Sequence, residues 1–144
     1  MKFIRVSNGQ SVLLHQIRSL LPEVVRAAQN EYDSWEQDED GFDEALGHSG
    51  GICQDIADKI CEVMNSNGID CLTQDAMIGD QHVWAVAYNE DYQEAFMIDI
   101  HPNVYESGGG YNWKKLPNVI FSENDVIIEN VNWGDFESSL EDTY

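Results

Sequence analysis

Basic residues are scarce in this sequence. Seven lysines and arginines stand against 27 aspartates and glutamates, which gives a formal net charge of −20 at pH 7. A field of this sign repels nucleic acid and anionic membranes, and it disfavours phosphate-rich substrates. The composition therefore argues against nucleic-acid or membrane binding and favours cationic partners.

Long hydrophobic runs and paired cysteines are also missing. No apolar run approaches the roughly 18 residues that a membrane span needs, and the segment 1–3 leads into no signal-peptide core. Three cysteines without paired spacings predict reduced thiols rather than a disulfide framework. These absences predict a soluble, cytoplasmic protein.

The 144 residues, 42% of them hydrophobic, are enough for one domain with its own core. Helical periodicity comes first in the chain and strand patterns follow, which predicts an α+β fold with an antiparallel sheet. We divide the predicted single domain, 1–144, into a helical and acidic part (1–47), a core (about 48–103) and a part that completes the sheet and ends in an acidic C-terminus (104–144).

Three helices are predicted. Ser11 is a candidate N-cap for the first, Pro22 opens the second, and the third covers 51–66 and ends at Asn67-Gly68. The acidic stretch after Trp35 is predicted to be an exposed loop. Strands are predicted at 70–78, 82–88, 94–100 and 118–131, the last of them split by a turn.

Cys53 stands at the start of the third helix, just after Gly50 and Gly51. The unpaired amides at a helix N-terminus carry partial positive charge, which favours a thiolate. The same amides can receive the oxyanion of a tetrahedral intermediate. Cys53 is therefore a candidate nucleophile.

His82 and Asp99 lie on two strands predicted to form a hairpin. If the loop is 89–92, His82 stands opposite Asp99 and both side chains project from one face. Asp99 would then hold the imidazole in one tautomer and stabilise its protonated form. Trp84, Val86, Ala95 and Met97 would make the same face apolar.

The segments GGICQDIA, HVW and MIDIHP resemble the core of the transglutaminase-like superfamily of papain-type cysteine enzymes. Gly51, Cys53 and Ala57 match the family's first motif. His82 and Trp84 match the second motif, and Asp99 with Pro102 match the third, in which the family more often has proline directly after the aspartate. The resemblance covers about residues 48–103.

The resemblance implies a papain-like core in which the nucleophile helix packs on an antiparallel sheet. It implies that Cys53 attacks a carbonyl, that His82 moves protons, that Asp99 orients His82 and that Trp84 walls the site. The resulting thioester chemistry spans peptide hydrolysis, amide transfer and deamidation, on a peptide or amide-bearing substrate that the acidic composition suggests is cationic.

Gly51 and Gln54 are candidates for the substrate and oxyanion environment, Gly51 because it allows close approach and Gln54 by its residue type. No cofactor is predicted. No metal is predicted either, because Cys53, His82, Asp99 and His101 fit no zinc-ligand spacing. Cys61 and Cys71 are predicted to be core residues.

Two other functions fit the same residues. An acidic inhibitor or DNA mimic would bind a basic protein without catalysis, through the acidic runs 31–44 and 123–142. A family member that has lost turnover would keep the fold and only bind peptide. The oligomeric state and the identity of the substrate do not follow from the sequence.

Overall fold

The computed structural model describes residues 5–6, 10–35, 52–76, 82–107 and 114–141, and these form a mixed α+β fold. The predicted α+β class is confirmed. Within the described residues the helices are α1 (Val12–Ser19), α2 (Leu21–Ser34), α3 (Cys53–Ser66) and α4 (Trp133–Glu141). The strands are β1 (Arg5–Val6), β2 (Gln10–Ser11), β3 (Asp70–Ala76), β4 (His82–Asn89), β5 (Glu94–Ile100), β6 (Glu106–Ser107), β7 (Lys114–Lys115) and β8 (Val126–Val131).

The first helix begins as predicted, and the second begins at Leu21, one residue before the predicted Pro22. The Ser11 hydroxyl caps α1 by accepting a hydrogen bond from the backbone N–H of Leu14 at 3.1 Å. Pro22 is the second residue of α2, where its missing N–H costs no helical hydrogen bond. The buried face of α2 continues into Trp35, whose side chain is almost fully buried.

Helix α3 packs along the sheet and ends in a left-handed glycine. Its buried face contains Ile56, Ile60 and Met64, and it lies against β3 and β4. Gly68 has a φ of +80°, a value that favours glycine, and it turns the chain directly into β3. The predicted stop at Asn67-Gly68 is confirmed.

The main sheet has the antiparallel order β3-β4-β5-β8 and two buried faces. One face belongs to the larger core, where Ala85, Ala87 and Ile98 pack with α2 and α3. The other face carries a smaller core in which Val86 and Ala95 pack with Phe136 of α4. The sheet is therefore a layer between helices α1–α3 on one side and α4 on the other.

The prediction of a split strand over 118–131 is wrong only for the segment before the turn. The predicted turn is confirmed as a 3-10 turn at Glu123–Asp125 and the segment after it as the strand Val126–Val131, whereas 118–121 is not a strand. Gln29 of α2 takes over the hydrogen bonding of the preceding segment, because its amide accepts from Phe121 N at 2.9 Å and donates to Val119 O at 3.1 Å. The Phe121 side chain is therefore buried against α2, and its backbone does not take part in strand pairing.

The acidic run 123–142 contains a helix that the sequence reading missed. Asn132 caps α4 by accepting from Asp135 N at 3.0 Å. Phe136 is 1% exposed and Trp133 and Leu140 pack beside it, so α4 buries an apolar face while Asp135 and Glu137 are exposed. The asparagine cap and the four-residue spacing of Phe136 and Leu140 were the available signals.

No helix in the described part of the chain has the length and apolar character that a membrane span requires. The predicted acidic loop after Trp35 lies outside the described residues, as does most of the run 31–44.

Candidate active site

The β4–β5 hairpin has a different register from the predicted one. Asn89 pairs with Glu94 and Tyr88 with Ala95, whereas the prediction set Tyr88 against Gln93. The loop is 90–93, and Gln93 closes it with a left-handed φ of 53°. The predicted register is therefore wrong by two residues.

A shift of two residues keeps every side chain on its face, because the side-chain period of a strand is two. His82 and Asp99 therefore remain on one side, as diagonal rather than directly opposed neighbours. Their side chains meet: His82 Nε2 lies 2.7 Å from Asp99 Oδ2. Asp99 is only 7% exposed.

The start of α3 and the start of β4 lie at the same end of the fold. α3 and β3 have 14 and 7 residues, and at their different rises per residue both span roughly 20 Å. Because Gly68 folds β3 back along the helix, the end of β3 comes level with Cys53. Ala76, the last residue of β3, pairs with His82.

The site forms at the end of the sheet rather than beneath the middle of the helix. The β4–β5 pairing ends at Ala85 and Ile98, and both His82 and Asp99 lie beyond that pair. α3 covers the face of Ala85 and Ala87, whereas Trp84 and Val86 belong to the opposite core. Cys53 therefore approaches His82 at the edge where the two faces meet.

The pKa of the His82 imidazole is strongly shifted. Its pKa is raised to about 10, first by the hydrogen bond with Asp99 and then by the interaction with Cys53, while burial opposes the shift. Asp99 occupies Nε2, so Nδ1 is the nitrogen left to Cys53. Nδ1 is buried and makes no hydrogen bond of regular geometry with a described residue, as is common for a nucleophile and base before substrate binds.

Cys53 is the first residue of α3 and is half-buried. The N-cap residue, Ile52, provides no side-chain acceptor for the amides of the first turn. These amides are therefore not capped from that position and can donate to an oxyanion near the sulfur.

Two residues that the sequence reading missed complete the site. Tyr105 is fully buried, and its pKa is raised by burial and then by the charges of Cys53, Glu106 and Asp99. Glu106 is 8% exposed, and burial raises its pKa to about 7 although the charge of His82 lowers it. Both follow β5 closely, but one acid among 27 gives no signal in the sequence.

Buried polar atoms without a partner gather in this region. They include His82 Nδ1, Tyr105 OH and Glu106 Oε2, none of which bonds to a described residue. Trp35 Nε1 is in the same state, and its ring lies edge-on to Tyr105 with centroids 6.3 Å apart. Such groups are rare in folded proteins, and a catalytic role is one of the explanations for them.

The other predicted site residues, Trp84, Gln54 and Gly51, differ in where they lie relative to His82. The Trp84 ring lies 6.0 Å from that of His82. Gln54 is exposed and its amide donates to Asp58 Oδ1 at 2.9 Å, which directs it along the outside of α3. Gly51 lies outside the described residues.

His101 is close to His82 but has another role. The two rings are 6.5 Å apart, and His101 Nδ1 accepts a hydrogen bond from Asn103 N at 3.1 Å, which caps the turn after β5. Among the described residues, no group of three or more histidine, cysteine or acidic side chains is arranged to hold a metal ion.

Comparisons of this chain with protein-family models, with curated proteins and with solved structures find no match.

Proposed function

We propose that this protein is a cysteine-dependent acyltransferase or hydrolase that acts on a peptide or amide through a thioester. Cys53 is the nucleophile, His82 transfers protons and Asp99 orients His82. The observation that carries the proposal is the 2.7 Å contact of His82 Nε2 with Asp99, which leaves Nδ1 to Cys53.

The protonation of His82 suits this role. With a pKa of about 10, His82 is an imidazolium at neutral pH, and an imidazolium is the counterion that a thiolate nucleophile needs. Asp99 accepts a hydrogen bond from the Nε2–H group of His82, so the Nδ1 proton is directed to the reacting atoms. These are the roles of the three residues in a nucleophile–base–acid triad.

The reaction then proceeds in two halves. The sulfur of Cys53 bonds to the substrate carbonyl carbon, and the first amides of α3 receive the oxyanion. His82 gives its Nδ1 proton to the leaving nitrogen as the carbon–nitrogen bond breaks, which leaves a thioester. Water or an amine, deprotonated by His82, attacks this thioester and releases Cys53.

The fold assignment is part of the same proposal. A helix that starts with cysteine, a strand that starts with histidine and a following antiparallel strand with aspartate occur here in chain order. This arrangement supports a transglutaminase-like or papain-like core. The 3-10 turn at Pro102, directly after β5, is compatible with the family's proline near the aspartate.

Selective alkylation tests the nucleophile. Iodoacetamide near pH 7 is expected to modify Cys53 at least ten times faster than Cys61 or Cys71, because an adjacent imidazolium favours the reactive thiolate. Peptide mapping by mass spectrometry measures the three rates. His82→Ala is expected to slow the reaction at Cys53, and His15→Ala, at an exposed position on α1, is the matched control.

A generic acyl donor tests the chemistry. With p-nitrophenyl acetate, Cys53 is expected to acquire an acetyl group as p-nitrophenolate leaves, and water or an added amine should then remove it. Equal, slow alkylation of all three cysteines, or no acetyl-enzyme in the wild-type protein, would contradict the proposal.

The acidic-binder alternative makes the opposite prediction. Its support is the net charge of −20, and it requires salt-sensitive binding to a basic protein that survives Cys53→Ala. Binding of that kind without acyl-enzyme formation would favour the alternative.

A further inference from the structure

The other two cysteines lie against each other across the α3–β3 packing. Cys61 Sγ is 3.0 Å from Cys71 Sγ, and both are free thiols in the structure. Cys61 is buried on α3, and Cys71 is half-buried on β3. Neither contributes to the triad.

The backbone near this thiol pair is held in place. The Asn65 side chain accepts from Cys71 N at 3.0 Å and donates to Cys71 O at 3.3 Å, so it ties β3 to the last turns of α3. The hydrogen bond from Cys71 also lowers the pKa of Cys61, which favours the form of a thiol that attacks a disulfide. The prediction that both cysteines are only core residues leaves this contact unexplained.

We propose that Cys61 and Cys71 form a reversible disulfide that links α3 to β3. A small disulfide such as oxidised glutathione is the oxidant. One protein sulfur attacks it, breaking the oxidant's sulfur–sulfur bond and forming a mixed disulfide. The second protein sulfur displaces the remaining half, so one Cys61–Cys71 bond forms, two small thiols leave and the two cysteine protons go with them.

The closure needs little movement. Bonded sulfurs lie about 2 Å apart, so the two atoms must approach by about 1 Å from their present 3.0 Å. The link would close a loop of about ten residues around the turn at Gly68. The disulfide would thereby hold α3, the helix that carries Cys53, against β3. A reducing cytoplasm would keep the two thiols reduced.

Thiol counting under controlled redox conditions tests the disulfide. The 144-residue protein is equilibrated with oxidised glutathione, unfolded in the presence of N-ethylmaleimide and analysed by intact-protein mass spectrometry and peptide mapping. After oxidation Cys61 and Cys71 are expected to take no N-ethylmaleimide, while the reactive Cys53 carries either one glutathione or one N-ethylmaleimide. Three N-ethylmaleimide adducts are expected after treatment with dithiothreitol. The oxidised protein should also melt about 5–10 °C higher than the reduced one, because the cross-link restricts the unfolded chain.

Three variants make the result specific. Cys53→Ala should keep both the cross-link and the rise in Tm, whereas Cys71→Ser and Cys61→Ala should each lose them. A disulfide that joins Cys53 to Cys61 or Cys71, a disulfide-linked dimer, or free thiols at Cys61 and Cys71 at high oxidised glutathione would overturn the inference. The inference does not depend on the proposed catalysis, because alkylation of Cys53 is scored separately.

Discussion

Replacing Glu106 by glutamine is expected to make the stability of the protein less sensitive to pH. Glu106 is 8% exposed and its Oε2 has no described hydrogen-bond partner, so its ionised form is poorly solvated in the folded state. Burial accordingly raises its pKa from 4.5 to about 7. Glutamine has nearly the same shape and no charge to bury.

The magnitude follows from linkage. Between pH 4.5 and 7 the folded protein holds a proton that the unfolded chain has lost, so the free energy of unfolding falls as the pH rises. The full loss is about 3 kcal/mol at roughly 1.4 kcal/mol per pKa unit, of which about 2.5 kcal/mol falls between pH 5 and pH 8. The Glu106→Gln variant should lack this loss.

Urea unfolding of both proteins near pH 5 and near pH 8 measures the effect. The difference in unfolding free energy between variant and wild type should grow by about 2–3 kcal/mol from the lower to the higher pH. Glu129→Gln, at an exposed position of β8, is the control and should show no comparable growth. Parallel pH dependence in Glu106→Gln and wild type would refute the view that Glu106 is a buried, unpaired acid.

The charge state of His82 can be observed directly by NMR. Its Cε1–H resonance should stay that of an imidazolium through pH 8 and titrate near pH 10. Asp99→Asn should lower that midpoint, because the largest cause of the raised pKa is removed. Because the pKa of His82 is raised, its contribution to the free energy of unfolding is complete below about pH 6.5 and is lost as the pH rises to about 10. Asp99→Asn should therefore also reduce the change of the unfolding free energy with pH in that range. A titration midpoint unchanged by the substitution would contradict the His82–Asp99 pair. Phe136→Ala should lower the free energy of unfolding by about 3–5 kcal/mol, because Phe136 is fully buried between α4 and the sheet. Ser138→Ala, on the exposed side of α4, should change it by less than about 0.5 kcal/mol. Equal effects would mean that the packing of α4 on the sheet does not stabilise the smaller core.

Local chemistry made much of the fold predictable. The start of α1 follows from the Ser11 cap, and the end of α3 from a glycine that can take a positive φ. The hairpin strands, predicted at 82–88 and 94–100, follow from their β-branched and aromatic residues and from the turn-forming residues between them. These features depend on a few adjacent residues, so no distant contact is needed to predict them.

The sequence-based predictions were wrong where contacts with residues distant in the chain determine the local structure. The segment around Phe121 has the composition of a strand, but Gln29 and Tyr32 of α2 bind its backbone instead. α4 was missed because its acids suggested a solvated tail, whereas its buried face is defined only by the sheet that it covers.

The order of Cys53, His82 and Asp99 along the chain was enough to identify a candidate triad, because residue type and position on an element are local properties. Even the wrong register preserved the His82–Asp99 pair, since an even shift does not change the face of a strand. Only the tertiary structure could bring Glu106 near His82, place Tyr105 near Cys53 and set Cys61 against Cys71. Burial and proximity across the chain decide the charge and reactivity of these groups, and neither is a property of a short stretch of sequence.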